Sequence, residues 1–140
     1  MKTMLITAMA LMGFASCFAD ECTDLEAIRK PFVDKLVEVA GPDARNCGLV
    51  RRGAKTAPAV QCARQMLQQK RPFYVGVQLQ GVDSILWSGI AADKSGTVSQ
   101  LYFDSDVRGS ICKYPKLTVT TCASVVLPKG ADRTLHCAQK

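Results

Sequence analysis

The sequence contains a single histidine, His136, and no two of its seven cysteines are spaced C-x-x-C. Structural zinc sites draw on closely spaced Cys and His ligands, so the usual zinc frameworks are excluded, as is a thioredoxin-type redox pair. A Ser-His-Asp or Cys-His arrangement would have to be built on His136, whose neighbour Cys137 is expected to be oxidised, so no nucleophilic triad is assigned. Acid is missing from a long stretch: no Asp or Glu occurs between Ala44 and Val82. After the first turns of the chain there is also no apolar run long enough to span a bilayer. No cofactor motif is present, so no cofactor, no metal and no enzymatic activity are expected.

The N-terminus explains the export address that the cysteines require. Lys2 precedes an apolar run over residues 4–14, and the small residues of Ala15-Ser16-Cys17-Phe18-Ala19 follow. An apolar segment of that length is too short for a hydrocarbon core of ~30 Å and has the form of a signal peptide. Residues 1–19 are therefore read as the signal and residues 20–140 as one small α+β domain, periplasmic or secreted. A lipid anchor on Cys17 is the alternative, because Phe14-Ala15-Ser16-Cys17 has the outline of a lipobox with phenylalanine in place of leucine.

Either route removes Cys17 and leaves Cys22, Cys47, Cys62, Cys112, Cys122 and Cys137. An even number in an exported domain argues for three disulfides. Six cysteines allow fifteen connectivities. Equal separations of fifteen residues favour Cys47–Cys62 and Cys122–Cys137, each closing a loop worth about 3 kcal/mol, and leave Cys22 to pair with Cys112.

Thr23-Asp24-Leu25-Glu26 has the form of a capping box and opens a helix whose stripe is Leu25, Ile28, Phe32, Leu36 and Val39. Pro31 inside it predicts a kink, or two short helices meeting near Lys30, and Gly41-Pro42 stops it. A second helix starts at an N-cap Thr56 with Pro58 in its first turn. Its apolar face is Ala59, Cys62, Ala63, Met66 and Leu67, and Pro72 ends it. Phe73, Val75, Val77 and Leu79 alternate with polar or small residues as a half-buried strand that packs on this helix. Gly81-Val82-Asp83-Ser84 is a turn, residues 85–92 a central strand apolar on both faces in places, and Asp93-Lys94-Ser95-Gly96 a hairpin turn into a strand over residues 97–104. Trp87 is assigned to the core. A threonine-rich strand over residues 117–122 is expected to face a last short strand near residues 134–137. The architecture expected is two N-terminal helices packed on one face of an antiparallel four- or five-stranded meander, stapled by disulfides.

Two acidic features have residue types that a site would need. Asp104-Ser105-Asp106 with Gly109 has the outline of a calcium loop, but Arg108 and Pro115 stand where further oxygen ligands are needed, so a structural turn is expected. Asp83, Asp104 and His136 would serve a small secreted hydrolase only if the fold brought them to one pocket.

Charge is the remaining signal. The acid-free stretch carries Arg45, Arg51, Arg52, Lys55, Arg64, Lys70 and Arg71, and residues 44–140 hold 14 basic against 5 acidic residues, or +9, while residues 20–43 hold 3 against 7, or −4. A field of this sign attracts acidic surfaces and speeds association. Arg45, Arg51, Arg52, Lys55, Arg64 and Arg71 are the candidate binding residues, the first four placed in an exposed connection between the helices. The partner is an acidic protein or an anionic envelope polymer. Nucleic acid is not expected, because no helix-turn-helix, RNA-binding signature or interleaved aromatics accompany the charge.

Cys47-Gly48, Cys62 within a helix, Arg71-Pro72-Phe73, Gly81-Val82-Asp83-Ser84 and Tyr102-Phe103-Asp104-Ser105-Asp106 together resemble small disulfide-paired exported bacterial domains of unknown function. The resemblance covers about residues 44–138, with Cys22 and Cys112 outside its pattern. It implies a fold and an envelope location and carries no activity. The expected function is non-catalytic binding, as an inhibitor or neutralising protein or a binder of an anionic envelope component, with a structural envelope lipoprotein as the alternative.

Overall fold

The structure, a computed structural model, describes residues 24–107, 114–128 and 135–138. The elements run α1 (Leu25–Ala40), β1 (Arg45–Val50), α2 (Ala57–Gln68), β2 (Phe73–Leu79), β3 (Leu86–Ala92), β4 (Val98–Asp104), β5 (Lys116–Thr121), β6 (Ser124–Val126) and β7 (His136–Ala138). The first five strands form one sheet in the order β1-β2-β3-β4-β5, and β6 pairs with β7 in a separate two-stranded sheet. Within the large sheet β2 to β5 are antiparallel neighbours, whereas β1 lies parallel to β2. The α+β class, the five-stranded sheet and the central place of residues 86–92 agree with the expectation drawn from the sequence.

The helices do not share a face of the sheet. Along a strand successive side chains point to opposite sides. Phe73, Val75 and Val77 of β2 and Ile90 and Ala92 of β3 join Ala59, Ala63 and Met66 of α2 in one core. Trp87 and Ala91 of β3 and Leu101 and Phe103 of β4 join Ile28, Phe32 and Leu36 of α1 in the other. The expectation of two helices on one face is therefore corrected: the sheet is covered on both sides. The cause is β1, a strand not anticipated between the helices, which turns α2 into the crossover of a β1-α2-β2 unit.

Phe32 is fully buried and fits against the sheet where side chains are missing. Gly76 and Gly89 are register partners, and a Cβ on either would lie 2.9 Å and 2.8 Å from the Phe32 ring. The ring also meets Trp87 and Phe103 at centroid distances of 5.7 and 6.3 Å. Trp87 is core, as expected, with its indole nitrogen buried and without a hydrogen-bond partner among the described residues, and with the Arg29 guanidinium 5.8 Å from its ring centre. α1 runs unbroken through Pro31, so the expected division near Lys30 does not occur. A proline removes one backbone bond, and burial of Ile28, Phe32 and Leu36 on both sides of it outweighs that loss. The cap is Asp24, whose side chain accepts from the Glu26 N–H at 2.9 Å, in place of Thr23.

Opposite α1, small residues bring α2 close to β1. A bulge at Gly48, whose φ is 124° and whose N–H donates to the Asn46 side chain, shifts the register between Asn46 and Leu49. The extra residue puts both Cys47 and Val50 on the α2 side and turns Leu49 toward Phe32. Cys47 bonds Cys62 of α2, and Cys122 bonds Cys137 of β7. Both local disulfides are thus present; Cys22 and Cys112 lie outside the described residues. The last strand does not face residues 117–122 as expected. β7 pairs with β6 and lies over β4; just before it, the Leu135 carbonyl accepts from Ser88 Oγ of β3 and Gln100 Nε2 of β4, and the Leu135 side chain completes the α2-side core. No helix among the described residues is long and apolar enough to cross a membrane.

Candidate basic surface and groove

Arg45, Arg51, Arg52, Lys55, Arg64 and Arg71 are all exposed, but the fold divides them. Arg45 opens β1 and its N–H bonds the Pro72 carbonyl, which puts it beside Lys70 and Arg71 at the end of the sheet where α2 finishes. Arg51, Arg52 and Lys55 follow β1 at the opposite end, where α2 begins. The separation along β1 is roughly 20 Å at ~3.3 Å per residue, well beyond a Debye length of about 8 Å at physiological salt. The two groups are electrostatically separate, with Arg64 on the exposed face of α2 between them. Residues 45–55 are thus only partly the connection expected, because β1 occupies their first half.

The two ends differ in their acidic surroundings. Arg51 is paired with Glu26 of α1, which also pairs with Arg29. The loop holding Asp83 and the end of β4 at Asp104 reach the same end, tied by the Ile85 N–H bond to Ser105 Oγ and the Ser105 N–H bond to the Ile85 carbonyl. At the other end, and along α2, no carboxylate among the described residues lies within ion-pair distance of Arg45, Arg64, Lys70 or Arg71. Asp93, which lines the same cleft as Lys70 and Arg71, is otherwise engaged. Its Oδ1 accepts from Ser95 Oγ at 2.6 Å, from the Ser95 N–H at 2.8 Å and from the Thr97 N–H at 3.0 Å. The Ser95 hydroxyl is the main cause of a carboxyl pKa below its ordinary value, and the backbone donors add to it.

α2 ends in a Schellman motif: the Arg71 N–H bonds the Met66 carbonyl and the Lys70 N–H bonds the Leu67 carbonyl. That geometry places Lys70 at φ 51°, the one non-glycine residue with positive φ among those described. Between this turn and the β3-β4 turn lies a cleft of about 290 Å³ with Met66, Leu67, Ala92 and Val98 as its apolar wall and Lys70, Arg71 and Asp93 at its rim. Leu67, Gly96 and Val98 also wall a second trough of about 460 Å³, which continues along residues 121–125. Sequence reading counted Lys70 in the charge run but left it out of the candidate site. A lysine at the C′ position, where glycine is favoured, was the available signal.

Neither cleft carries Asp83, Asp104 or His136. His136 is exposed on β7, and Asp104 Oδ1 accepts the Asp106 N–H at 2.9 Å in a structural turn. Among the described residues no group of three or more His, Cys, Asp or Glu side chains is placed to hold a metal ion. No protein-family model matches the chain, and neither a curated protein nor a solved structure similar to it was found.

Proposed function

We propose that the protein is an exported, disulfide-stapled, non-catalytic binding domain that takes an acidic protein partner through the exposed cations of α2 and the start of β1. The observation that carries this reading is the set Arg45, Arg64, Lys70 and Arg71, exposed on one rigid βαβ unit and without a carboxylate partner among the described residues. Unpaired surface cations lose desolvation energy on burial but steer an acidic surface toward them, so their main contribution is to association rate and salt dependence. The two disulfides fit an oxidising compartment. Residues 1–19 then serve as the signal peptide, and the mature chain begins at Asp20. Intact mass of the processed protein tests this, since acylation at Cys17 would assign it to a lipid anchor.

A polyaspartate column tests the binding reading. The oxidised protein should be retained, and reversal of Arg64 and Arg71 to glutamate should lower the eluting salt more than reversal of Arg51 and Arg52. Equal retention of the Arg64/Arg71 variant and the parent at every ionic strength would remove the basis for the proposal.

A further inference from the structure

The cations at the end of α2 adjoin an apolar depression, and the combination is more specific than charge alone. A carboxylate-rich surface needs only exposed basic residues. An apolar wall beside them selects a ligand that alternates charge with hydrophobic side chains. We propose that the groove between the C-terminal turn of α2 and the β3-β4 turn docks an extended acidic segment of the partner, with an apolar side chain against Met66, Leu67 and Val98 and a carboxylate between Lys70 and Arg71. The proposal rests on the reading of an acidic protein partner given above.

Three features of the groove support this occupant. First, charge complementarity is local: Lys70 and Arg71 have no carboxylate within ion-pair distance among the described residues, and Asp93 on the opposite rim is held by Ser95 and Thr97. Second, Lys70 keeps a side chain at a left-handed backbone position where glycine would fit without strain, and strain retained at a surface turn points to a use for the side chain. Third, the first cleft shares Leu67, Gly96 and Val98 with the second trough, so the depression continues from the cationic rim toward residues 121–125. A compact ligand fills one cleft, whereas an extended chain follows both, with alternate side chains turned to the wall.

Nuclear magnetic resonance titration of the ¹⁵N-labelled oxidised protein tests the inference with three probes: a twelve-residue peptide alternating leucine and aspartate, a peptide of equal charge alternating serine and aspartate, and laurate. The leucine–aspartate peptide should shift amides of residues 66–71 and 93–98, and the serine–aspartate peptide should bind at least about fivefold more weakly. Lys70→Gly relieves the backbone, so it should melt higher than the parent while binding the leucine–aspartate peptide at least about fivefold more weakly, a pairing that a purely structural lysine would not produce. Shifts centred on residues 51–55, unchanged affinity in Lys70→Gly, equal binding of the two peptides, or groove shifts with laurate alone would each overturn the proposal. Those results leave the acidic-partner reading intact if polyaspartate retention still falls on reversal of Arg64 and Arg71, so the two failures are distinguishable.

Discussion

The two faces of the sheet are held by different means. On the α1 side a sixteen-residue helix brings Phe32 and Leu36 onto Trp87, Leu101 and Phe103, and a pair of facing glycines lets the aromatic ring approach the backbone. On the α2 side the helix itself contributes smaller side chains, Ala59, Ala63 and Met66, against Phe73, Val75, Val77 and Ile90 of the sheet and Leu135, and the Cys47–Cys62 bond ties it to β1 while Cys122–Cys137 ties down β7. Large rings fill space and close their interface. Small helix residues and the Cys47–Cys62 bond hold α2 near the sheet yet leave its rim open, and both clefts lie on that side. The groove proposed above as a docking site therefore lies on the face where the helix contributes the smaller side chains.

The sharpest way to break this comparison is Phe32→Ala, which empties the aromatic side. It should cost about 3–5 kcal/mol in chemical denaturation, and a loss below about 1.5 kcal/mol would mean that the α1 face is not held by that ring. Replacing Cys47 and Cys62 together by serine releases a loop of sequence separation 15, with an expected loss of about 3 kcal/mol on the chain-entropy view. A thermal melt that does not move would assign the α2 face to packing after all. Gly89→Ala places a Cβ 2.9 Å from the Val75 carbonyl and 2.8 Å from the Phe32 ring, at an expected cost of about 1–3 kcal/mol. Gly76→Ala meets only side chains and should cost less, so calorimetry of the two variants ranks backbone against side-chain crowding. Lys70→Gly should gain up to about 1 kcal/mol, because relief of left-handed strain is offset by the larger entropy of an unfolded glycine.

The smallest effect concerns the turn that forms one wall of the cleft. The Asp93 carboxyl titrates below its ordinary value of 3.8, so its ionised form is favoured by folding. Its contribution is present above 3.8 and is lost as pH falls through the depressed folded pKa. Asp93→Asn should therefore melt below the parent at neutral pH, and the gap should close on acidification below that value. A gap of constant size from pH 7 to pH 2 would show that the side chain acts through shape alone.

Much of the local structure was legible. The helical stripes, save Leu25, which opens α1 exposed to solvent, the alternation of Phe73, Val75 and Val77, the Asp93 to Gly96 turn and the two fifteen-residue disulfides all depend on neighbours a few positions apart, where hydrogen bonding and side-chain period are fixed by the chain itself. β1 was missed because Arg45 and Asn46 are exposed and the Gly48 bulge interrupts alternation, so Cys47, Leu49 and Val50 do not read as one apolar side. The role of Leu135 was missed for another reason: three residues of β7 are too few to carry a period.

The sequence alone marked both helices, the strands β2 to β5 and the acid-free stretch, and favoured the pairing of the nearby cysteines, because each is a short-range property. The apolar run over residues 85–92 signalled a central strand, but not that both faces of the sheet would be covered. Only the tertiary structure decided that the helices take opposite faces, that the candidate cations separate to two ends, and that Lys70 and Arg71 meet an apolar groove. Those outcomes depend on where a strand carries its residues, and on which distant loops arrive beside them, at distances longer than any sequence period or screening length.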